Sequence, residues 1–320
     1  MGGKPQYLIA AMALALAAQA QQPAKMIDIG AEKAPLTDAD KTELANAIQV
    51  HNFAAEKVVI DRALKAHPDS AELYAMAGRL AYLEKHAKDS ADAFERADKL
   101  KPLAESDRLT LALAYEFSGR PALGRAEMVK LTKAAPKNAQ YFYLLGRIDR
   151  QGKNVDQAVV SYKRAILLDP NLLRAYQELG QCQEELGQLD QARKTYETSA
   201  AVNRGLPKQW EWPPVDLGAL LLKADEVDKA EALFRESLRY NGRFSWGHYY
   251  LGRILQQKGK DADAAAEYRE AIVAQPSHRQ AWLALGRAYT KLGNKEQADR
   301  ALAMFKKLED QENASKGMKQ

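Results

Sequence analysis

Apolar residues along the chain fall into paired blocks with helical spacing. Within 139–172 the first block holds Phe142, Leu145 and Ile148, and the second holds Val159, Tyr162, Ala165 and Ile166. Steps of three and four residues place these side chains on one face of an amphipathic α-helix. The segment 152–154 separates the blocks, and Pro170 ends the second block because proline cannot continue a helix. The pattern predicts a pair of antiparallel helices.

This paired pattern recurs with one fixed period along the chain. Prolines stand at equal intervals of thirty-four positions, at Pro68, Pro102, Pro136 and Pro170. The same interval separates Gly146 from Gly180, and it separates Gly218, Gly252 and Gly286 from one another. The interval from Gly180 to Gly218 is longer than this period by four positions, so four residues are inserted there. A fixed period of this size predicts an array of repeated helix pairs.

Small residues recur where the two helices of a pair are expected to cross. The recurring pairs are Gly146 with Ala158, Gly180 with Ala192, Gly252 with Ala264, and Gly286 with Ala298. A glycine inside a helix costs about 1 kcal/mol relative to alanine, so its repetition needs a structural reason. We expect these glycines to allow the two helix backbones to approach each other closely.

The residues at these positions resemble those of the tetratricopeptide repeat. The last repeat carries Trp282, Leu285, Gly286, Tyr289 and Ala298, and an earlier one carries Tyr176, Leu179, Gly180, Ala192 and Tyr196. Counted from the first position of the family motif, the eight repeats are 37–70, 71–104, 105–138, 139–172, 173–206, 211–244, 245–278 and 279–312. An insert at 207–210 and a polar tail at 313–320 complete this division. The resemblance implies an all-α, right-handed superhelical solenoid of antiparallel helix pairs.

The resemblance also implies a function. In this family the first helix of each repeat lines a concave groove that binds peptides or protein segments, and members act as non-catalytic adaptors or scaffolds. Four repeats carry an arginine at one groove position: Arg79, Arg147, Arg253 and Arg287. One turn earlier on the first helices lie Tyr143 and Tyr249, and one turn later lie Tyr82 and Arg150. Trp212 and Trp246 stand where two of the first helices start. Guanidinium groups bind carboxylates bidentately, and aromatic rings supply rigid contact area. We therefore expect an acidic protein or peptide partner.

A second interpretation of the same residues stays open. The arginines pair with acidic residues of the next helix, and the tyrosines pack inside the array. A separate alternative for the function is a structural role, as a self-associating repeat protein of an envelope complex that leaves the groove empty. The lysine and asparagine pattern with which family members bind chaperone tails is absent, because the matching positions pair Lys41 with Ala45, Ala75 with Arg79, and Leu109 with Leu113.

The insert has its own composition. It brings Trp210 and Trp212 next to a break in the repeat, where they either contact a ligand or fill a gap in the stacking. Pro213 and Pro214 fit the first turn of the following helix, where missing amide donors matter least.

The first twenty residues read as a cleavable secretory signal. Lys4 precedes an apolar run from Tyr7 to Ala18, which is too short to span a bilayer. The run ends in Ala18-Gln19-Ala20, a small-x-small cleavage pattern. We expect cleavage near Ala20, a linker over 21–36, and export to a periplasm or the outside. No later segment is apolar enough to predict a membrane span.

Composition narrows the function classes further. A chain with 46% hydrophobic and 28% charged residues is a folded protein rather than a disordered one. A single cysteine, Cys182, excludes an intramolecular disulfide, and we expect it to be a small packed residue. His248 is expected to pack where the family places a core aromatic. We expect no metal, no cofactor, no enzymatic activity and, with a net charge of +5, no nucleic-acid partner.

Overall fold

The computed structural model describes residues 34–317, and within this range all regular secondary structure is α-helical. The described part contains 16 helices and no strand, which confirms the predicted all-α class. The predicted signal at 1–20 and residues 21–33 of the predicted linker lie outside the described residues.

The helices divide between two compact units, with the boundary between Ala134 and Ala135. The first unit contains α1 (Asp38–Gln49), α2 (Phe53–Ala66), α3 (Ala71–Leu83), α4 (Ala87–Leu100), α5 (Glu105–Phe117) and α6 (Pro121–Ala134). The second unit contains α7 (Ala139–Gln151), α8 (Val155–Leu168), α9 (Leu173–Glu185), α10 (Leu189–Gly205), α11 (Trp212–Lys223), α12 (Val227–Tyr240), α13 (Ser245–Gln257), α14 (Asp261–Ala274), α15 (Arg279–Lys291) and α16 (Lys295–Gly317).

Within each unit the helices stack as antiparallel pairs. Each odd-numbered helix, called a first helix below, packs against the even-numbered second helix that follows it. Each second helix then packs against the next first helix of the same unit. Consecutive first helices also contact each other directly, as α3 does with α5 and α13 with α15. First helices therefore form one continuous face of each stack.

The turn inside every pair contains a residue in the left-handed backbone region. These residues are His51, Lys85, Gly119, Lys153, Gly187, Asp225, Gly259 and Gly293, with φ between 54° and 75°. They recur with the same period as the prolines, apart from the longer interval across the insert. The left-handed residue reverses the chain after the first helix, because that conformation cannot continue a right-handed helix. Glycine adopts it without steric cost at four of the eight turns.

The repeated glycines face aromatic rings rather than bare backbone. A Cβ added to Gly146 would lie 2.7 Å from Cε1 of Tyr162 on the paired helix α8. The same relation holds for Gly180 with Tyr196 and for Gly252 with Tyr268. Close backbone approach alone is therefore not the reason for these glycines. Each leaves room for a fully buried ring from the second helix, which fills the space between the two helices.

The described chain begins and ends on stabilised helices. Thr37 caps α1, and its hydroxyl accepts from Asp40 N while the Asp40 carboxylate accepts from Thr37 N. At the other end α16 continues to Gly317, past the boundary at 312 that the repeat length predicts. Arg279 lies 3.4–3.6 Å from carboxylate oxygens of Glu309 and Glu312, so α16 packs back along α15 as far as Glu312.

The insert is held in place by one asparagine. The fully buried Asn203 donates to Trp210 O at 2.9 Å and accepts from Trp210 N at 2.8 Å. Pro213 and Pro214 occupy the first turn of α11, as predicted. The ring of Trp212 packs edge-on against Phe244, with centroids 5.0 Å apart, at the margin of the core. Trp212 therefore fills space between neighbouring repeats.

Within residues 34–317, no helix has both the length and the apolar character needed to cross a bilayer.

Candidate protein-binding surface

Three consecutive first helices of the second unit enclose a cleft. The cleft, called the C-terminal cleft below, has a volume of about 660 Å³ and is lined by Leu222 on α11, Arg253, Gln256 and Gln257 on α13, and Arg287, Thr290 and Lys291 on α15. All of these residues come from first helices, the elements expected to carry the groove. Six of the seven lining residues have polar side chains, and three of these are basic, of which Lys291 lies 3.4 Å from Asp261.

Two predicted groove arginines meet in this cleft, and neither has an acidic partner among the described residues. Arg253 and Arg287 are both exposed, and they occupy the same position in adjacent repeats. The guanidinium carbon of Arg253 lies 5.7 Å from the ring centre of Tyr250, an attractive contact that leaves the hydrogen-bond donors available. Two guanidinium groups with unused donors form a site for an anion.

Other groove arginines are already neutralised. Nε and Nη2 of Arg79 donate to the two oxygens of Asp107 at 2.6 and 2.7 Å. Nη1 of Arg150 donates to Glu178 at 2.6 Å and to Gln181 at 3.0 Å. Each pair joins the first helices of neighbouring repeats. Arg79 and Arg150 are therefore paired with acidic residues of the neighbouring repeat, as the second interpretation of the arginines expects.

The sequence of the next repeat decides which arginine is paired. The partner of Arg79 is Asp107, which stands at the third position of the following first helix. The residue at the same offset from Arg253 is Ala281, which is fully buried and offers no charge. Arg287 belongs to the last first helix of the described chain, so no later first helix faces it there. The unpaired arginines are thus a local feature of the C-terminal end.

The remaining predicted residues do not gather at one place. Arg79 and Tyr82 belong to the first unit, whereas the other eight predicted residues belong to the second. The Tyr82 ring lies 6.2 Å from that of Phe117 and is half-buried. Tyr143 is only 4% exposed and packs 6.0 Å from Tyr162. Arg147 is half-buried on α7. Tyr143 therefore lies in the core beneath the surface rather than on it.

The predicted aromatic residues of the second unit form a layer next to the cleft. The half-buried rings of Trp212 and Trp246 lie 6.0 Å apart, and Tyr249 lies 5.7 Å from Trp246. Burial raises the pKa of Tyr249, while the charges of Arg253 and Arg287 oppose the rise. Both arginines therefore place their positive charge close to this phenol. The contacts among these rings hold the starts of α11 and α13 together.

A buried histidine that the sequence pattern did not single out supports this layer. His278 is 2% exposed, and its ring lies 4.3 Å from that of Trp246. Ser245 Oγ donates to Ala271 O at 2.7 Å and lies 2.5 Å from His278 Nδ1, which is therefore the protonated nitrogen. Nε2 has no hydrogen bond among the described residues. Burial lowers the pKa of His278 to about 4.

This histidine makes the stability of the second unit pH-dependent. The unfolded chain takes up a proton near the ordinary pKa of 6.5, whereas the folded chain does so only near 4. Stability is unaffected well above pH 6.5 and falls as the pH drops toward 4, by roughly 2–3 kcal/mol at pH 4.5. Urea titrations at pH 7.5 and 4.5, followed by tryptophan fluorescence, measure this loss. We expect His278→Asn to reduce the difference in unfolding free energy between the two pH values by about this amount. If the difference were unchanged, His278 would not be the group responsible.

Two further predictions are confirmed. Cys182 is fully buried, and burial raises the pKa of its thiol to about 11, so it is a packed residue. His248 packs half-buried, with Nδ1 2.7 Å from Glu267 Oε2 and Nε2 3.1 Å from Gly242 O. The residues that the structure describes include no cluster of three or more side chains suited to a metal ion.

The helix pairs and the open surface on their first helices define a helical-repeat protein of the protein-binding class. Family models described as tetratricopeptide repeat match residues 150–210, 109–172, 215–278 and 249–308. The chain belongs to the tetratricopeptide repeat family, whose members serve as scaffolds for protein interactions.

Individual relatives are distant. The BBSome complex member bbs-4 of Caenorhabditis elegans is 22% identical over 180 residues, which cover 51% of this chain. The matched region spans 36% of that relative. Among solved structures, the APC/C hetero-tetramer Cut9-Hcn1 has a TM-score of 0.51 at 17% identity, and the match covers 79% of this chain and 50% of the matched chain. MamA has a TM-score of 0.43 at 20% identity, over 53% of this chain and 97% of its own. At these identities the likeness shows the fold alone.

Proposed function

We propose that this protein is a non-catalytic scaffold that binds an acidic protein segment in the C-terminal cleft. The observation that carries the proposal is the pair of exposed arginines, Arg253 and Arg287, which have no acidic partner among the described residues. An arginine without a partner inside a cleft keeps its donors available for a ligand. Arg79 and Arg150 lack this availability, because Asp107 and Glu178 occupy them.

The energetics favour a carboxylate ligand. Hydrogen bonds to charged groups contribute about 1.5–3 kcal/mol each, roughly twice the value for neutral pairs. The cleft is formed by packed helices, so a ligand gains these bonds without ordering a loop. The titratable side chains that line it are Arg253, Arg287 and Lys291. Such a lining suits binding of an anion and supplies no carboxylate, thiol or imidazole for acid–base or nucleophilic chemistry.

Export forms a second part of the proposal. It rests on the signal pattern at residues 1–20, which precedes the described chain. The protein isolated from its source is expected to begin at Gln21, and intact mass with N-terminal sequencing checks this. A chain that retains Met1 to Ala20 contradicts export by cleavage and leaves the binding proposal untouched.

Site-specific photocrosslinking in the source cells tests the binding proposal. A benzophenone amino acid replaces exposed Thr290 at the cleft, and a second variant carries it at Val160, which is 63% exposed on the second helix α8. We expect a crosslinked partner from position 290 and not from position 160. The double variant Arg253→Ala/Arg287→Ala is expected to lose that product.

A matched control removes two arginines elsewhere. Arg235 and Arg300 lie on second helices and pair with Glu231 and Glu296 four residues earlier, with side chains 61% and 76% exposed. Arg235→Ala/Arg300→Ala is expected to retain the crosslinked partner. A partner that survives the loss of Arg253 and Arg287 contradicts the cleft as its site. A crosslink to a second copy of this chain, with no other product, favours the structural alternative.

A further inference from the structure

The two unpaired arginines have a fixed spatial relation. Arg253 and Arg287 stand one repeat period apart, at the same position of α13 and α15, and these first helices contact each other. Packed helices have axes about 8–10 Å apart. Two side chains at equivalent positions therefore start about one helix spacing from each other. A ligand that engages both must present two negative charges at that separation.

In an extended peptide, two acidic side chains lie on the same side and one helix spacing apart only when they are a particular number of residues apart in sequence. In a polyproline II conformation the rise is about 3.1 Å per residue with three residues per turn, so residues i and i+3 lie on the same side about 9 Å apart. Adjacent residues point in different directions. In a β-strand, residues i and i+2 share a face but lie only about 6.6 Å apart. Separation by three residues is the best match to one helix spacing.

We propose that the ligand of the C-terminal cleft is an extended segment with two acidic residues three positions apart, one bound by Arg253 and the other by Arg287. This inference rests on the proposed function and adds to it the sequence pattern that the cleft selects. Charge complementarity identifies the ligand chemistry, and the repeat geometry sets the spacing of its charges.

Polar groups one helical turn beyond each arginine suit the backbone of such a segment. Gln256 accepts from the Tyr268 hydroxyl at 3.0 Å through Oε1, which leaves its amide nitrogen as a donor. Thr290 Oγ1 donates to Gly286 O at 2.9 Å and retains lone pairs that accept from an N–H group. An extended segment has no internal hydrogen bonds, so its N–H and C=O groups need such partners.

The rim of the cleft limits where negative charge is accepted. Lys291 Nζ lies 3.4 Å from Asp261, and Gln257 Nε2 lies 3.4 Å from Asp225. These two carboxylates repel acidic residues that fall outside the positions of the arginines. The cleft therefore selects a spaced pair of acidic residues over a continuous acidic run.

Binding of synthetic peptides to the full chain tests the spacing. Fluorescein-labelled, proline-rich peptides with blocked termini carry two glutamates separated by zero to four residues. A further peptide replaces the second glutamate by a free C-terminal carboxylate at the same position. Fluorescence anisotropy at 0.15 M salt is expected to show the tightest binding with two intervening residues, by about tenfold over adjacent glutamates.

Single-arginine variants show whether each carboxylate has its own partner. Arg253→Ala and Arg287→Ala are each expected to abolish the preference for spacing and to weaken the best peptide about tenfold. The control variant Arg235→Ala/Arg300→Ala is expected to leave the preference for spacing and the affinity of the best peptide unchanged. Equal or tighter binding of the free-carboxylate peptide shows that the second anion is a chain terminus and overturns the two-side-chain pattern.

The outcomes separate this inference from the proposed function. Equal affinity for all spacings, still dependent on Arg253, overturns the spacing rule and leaves acidic-segment binding intact. Failure of every peptide, while the photocrosslinked partner still requires both arginines, overturns the extended-segment form and favours a folded surface. A single-stranded oligonucleotide that binds more tightly than any peptide overturns both proposals.

Discussion

Replacement of Gly180 by alanine is expected to lower the free energy of unfolding of the second unit by about 3 kcal/mol. A Cβ at this position would fall well inside van der Waals contact with the ring of Tyr196. That ring is 1% exposed, and its hydroxyl donates to Glu184 at 2.9 Å, so it has neither space nor freedom to move aside. The strain exceeds the gain of about 1 kcal/mol that alanine brings inside a helix.

The tryptophans make this effect measurable in the intact chain. All four of them, Trp210, Trp212, Trp246 and Trp282, lie in the second unit. Urea unfolding followed by tryptophan fluorescence therefore reports on that unit alone. Gly205→Ala is the matched control, because nothing lies within 4 Å of a Cβ added at the end of α10. We expect its effect to stay within about 0.5 kcal/mol. Equal effects of the two substitutions would show that the ring does not set the requirement for glycine.

The sequence contains a signal for this packing that a count of small residues misses. In six repeats the glycine is followed, always at the same distance along the chain, by a large side chain on the second helix. The pairs are Gly78 with Phe94, Gly146 with Tyr162, Gly180 with Tyr196, Gly218 with Phe234, Gly252 with Tyr268, and Gly286 with Leu302. Periodicity alone locates the helices, since it records which positions are apolar. It does not record which side chain lies over which, because that depends on the crossing geometry of the pair.

The candidate site was predictable only in outline. The motif places arginines on first helices, and the structure confirms that position for Arg253 and Arg287. Whether an arginine is paired depends on which residues of the neighbouring repeat face it, such as Asp107 for Arg79 and Glu178 for Arg150, whereas the residue at the corresponding offset from Arg253 is the uncharged Ala281. The burial of Tyr143 and His278 depends on how the helices of a repeat cross, since Tyr143 packs on Tyr162 and His278 packs on Trp246, and the apolar pattern does not record that crossing.

The extension of α16 to Gly317 shows a related limit. The repeat length predicts an end at 312, and the polar composition beyond it gives no apolar signal for a helix. The ion pairs of Arg279 with Glu309 and Glu312 and the contact of Arg279 with the Phe305 ring tie α16 to α15 as far as Glu312. The helix continues beyond that point because adding residues to an existing helix is easier than starting one.

Loss of the Arg79 side chain is expected to destabilise the first unit by about 2 kcal/mol. Asp107 is 4% exposed, and the substitution Arg79→Ala leaves its carboxylate without the two hydrogen bonds that now compensate its burial. Asp107→Ala is expected to cost less, because the Arg79 side chain is 25% exposed and can turn toward water. The double variant should be more stable than Arg79→Ala alone, since no buried charge remains. Urea unfolding followed by circular dichroism of the four proteins measures this coupling.

The same measurement on Arg253→Ala distinguishes an arginine that stabilises the fold from one kept for a ligand. Arg253 is exposed and has no acidic partner among the described residues, so its loss is expected to change stability by less than about 0.5 kcal/mol. A charged side chain that contributes nothing to folding and lies in a cleft of like charges keeps its hydrogen-bond donors available for the anionic ligand proposed above. If Arg253→Ala were as destabilising as Arg79→Ala, the guanidinium would have a structural partner, and the argument for a carboxylate ligand would lose its basis. We therefore expect Arg79→Ala to lower mainly the stability of the fold, and Arg253→Ala to weaken mainly the binding of the peptide.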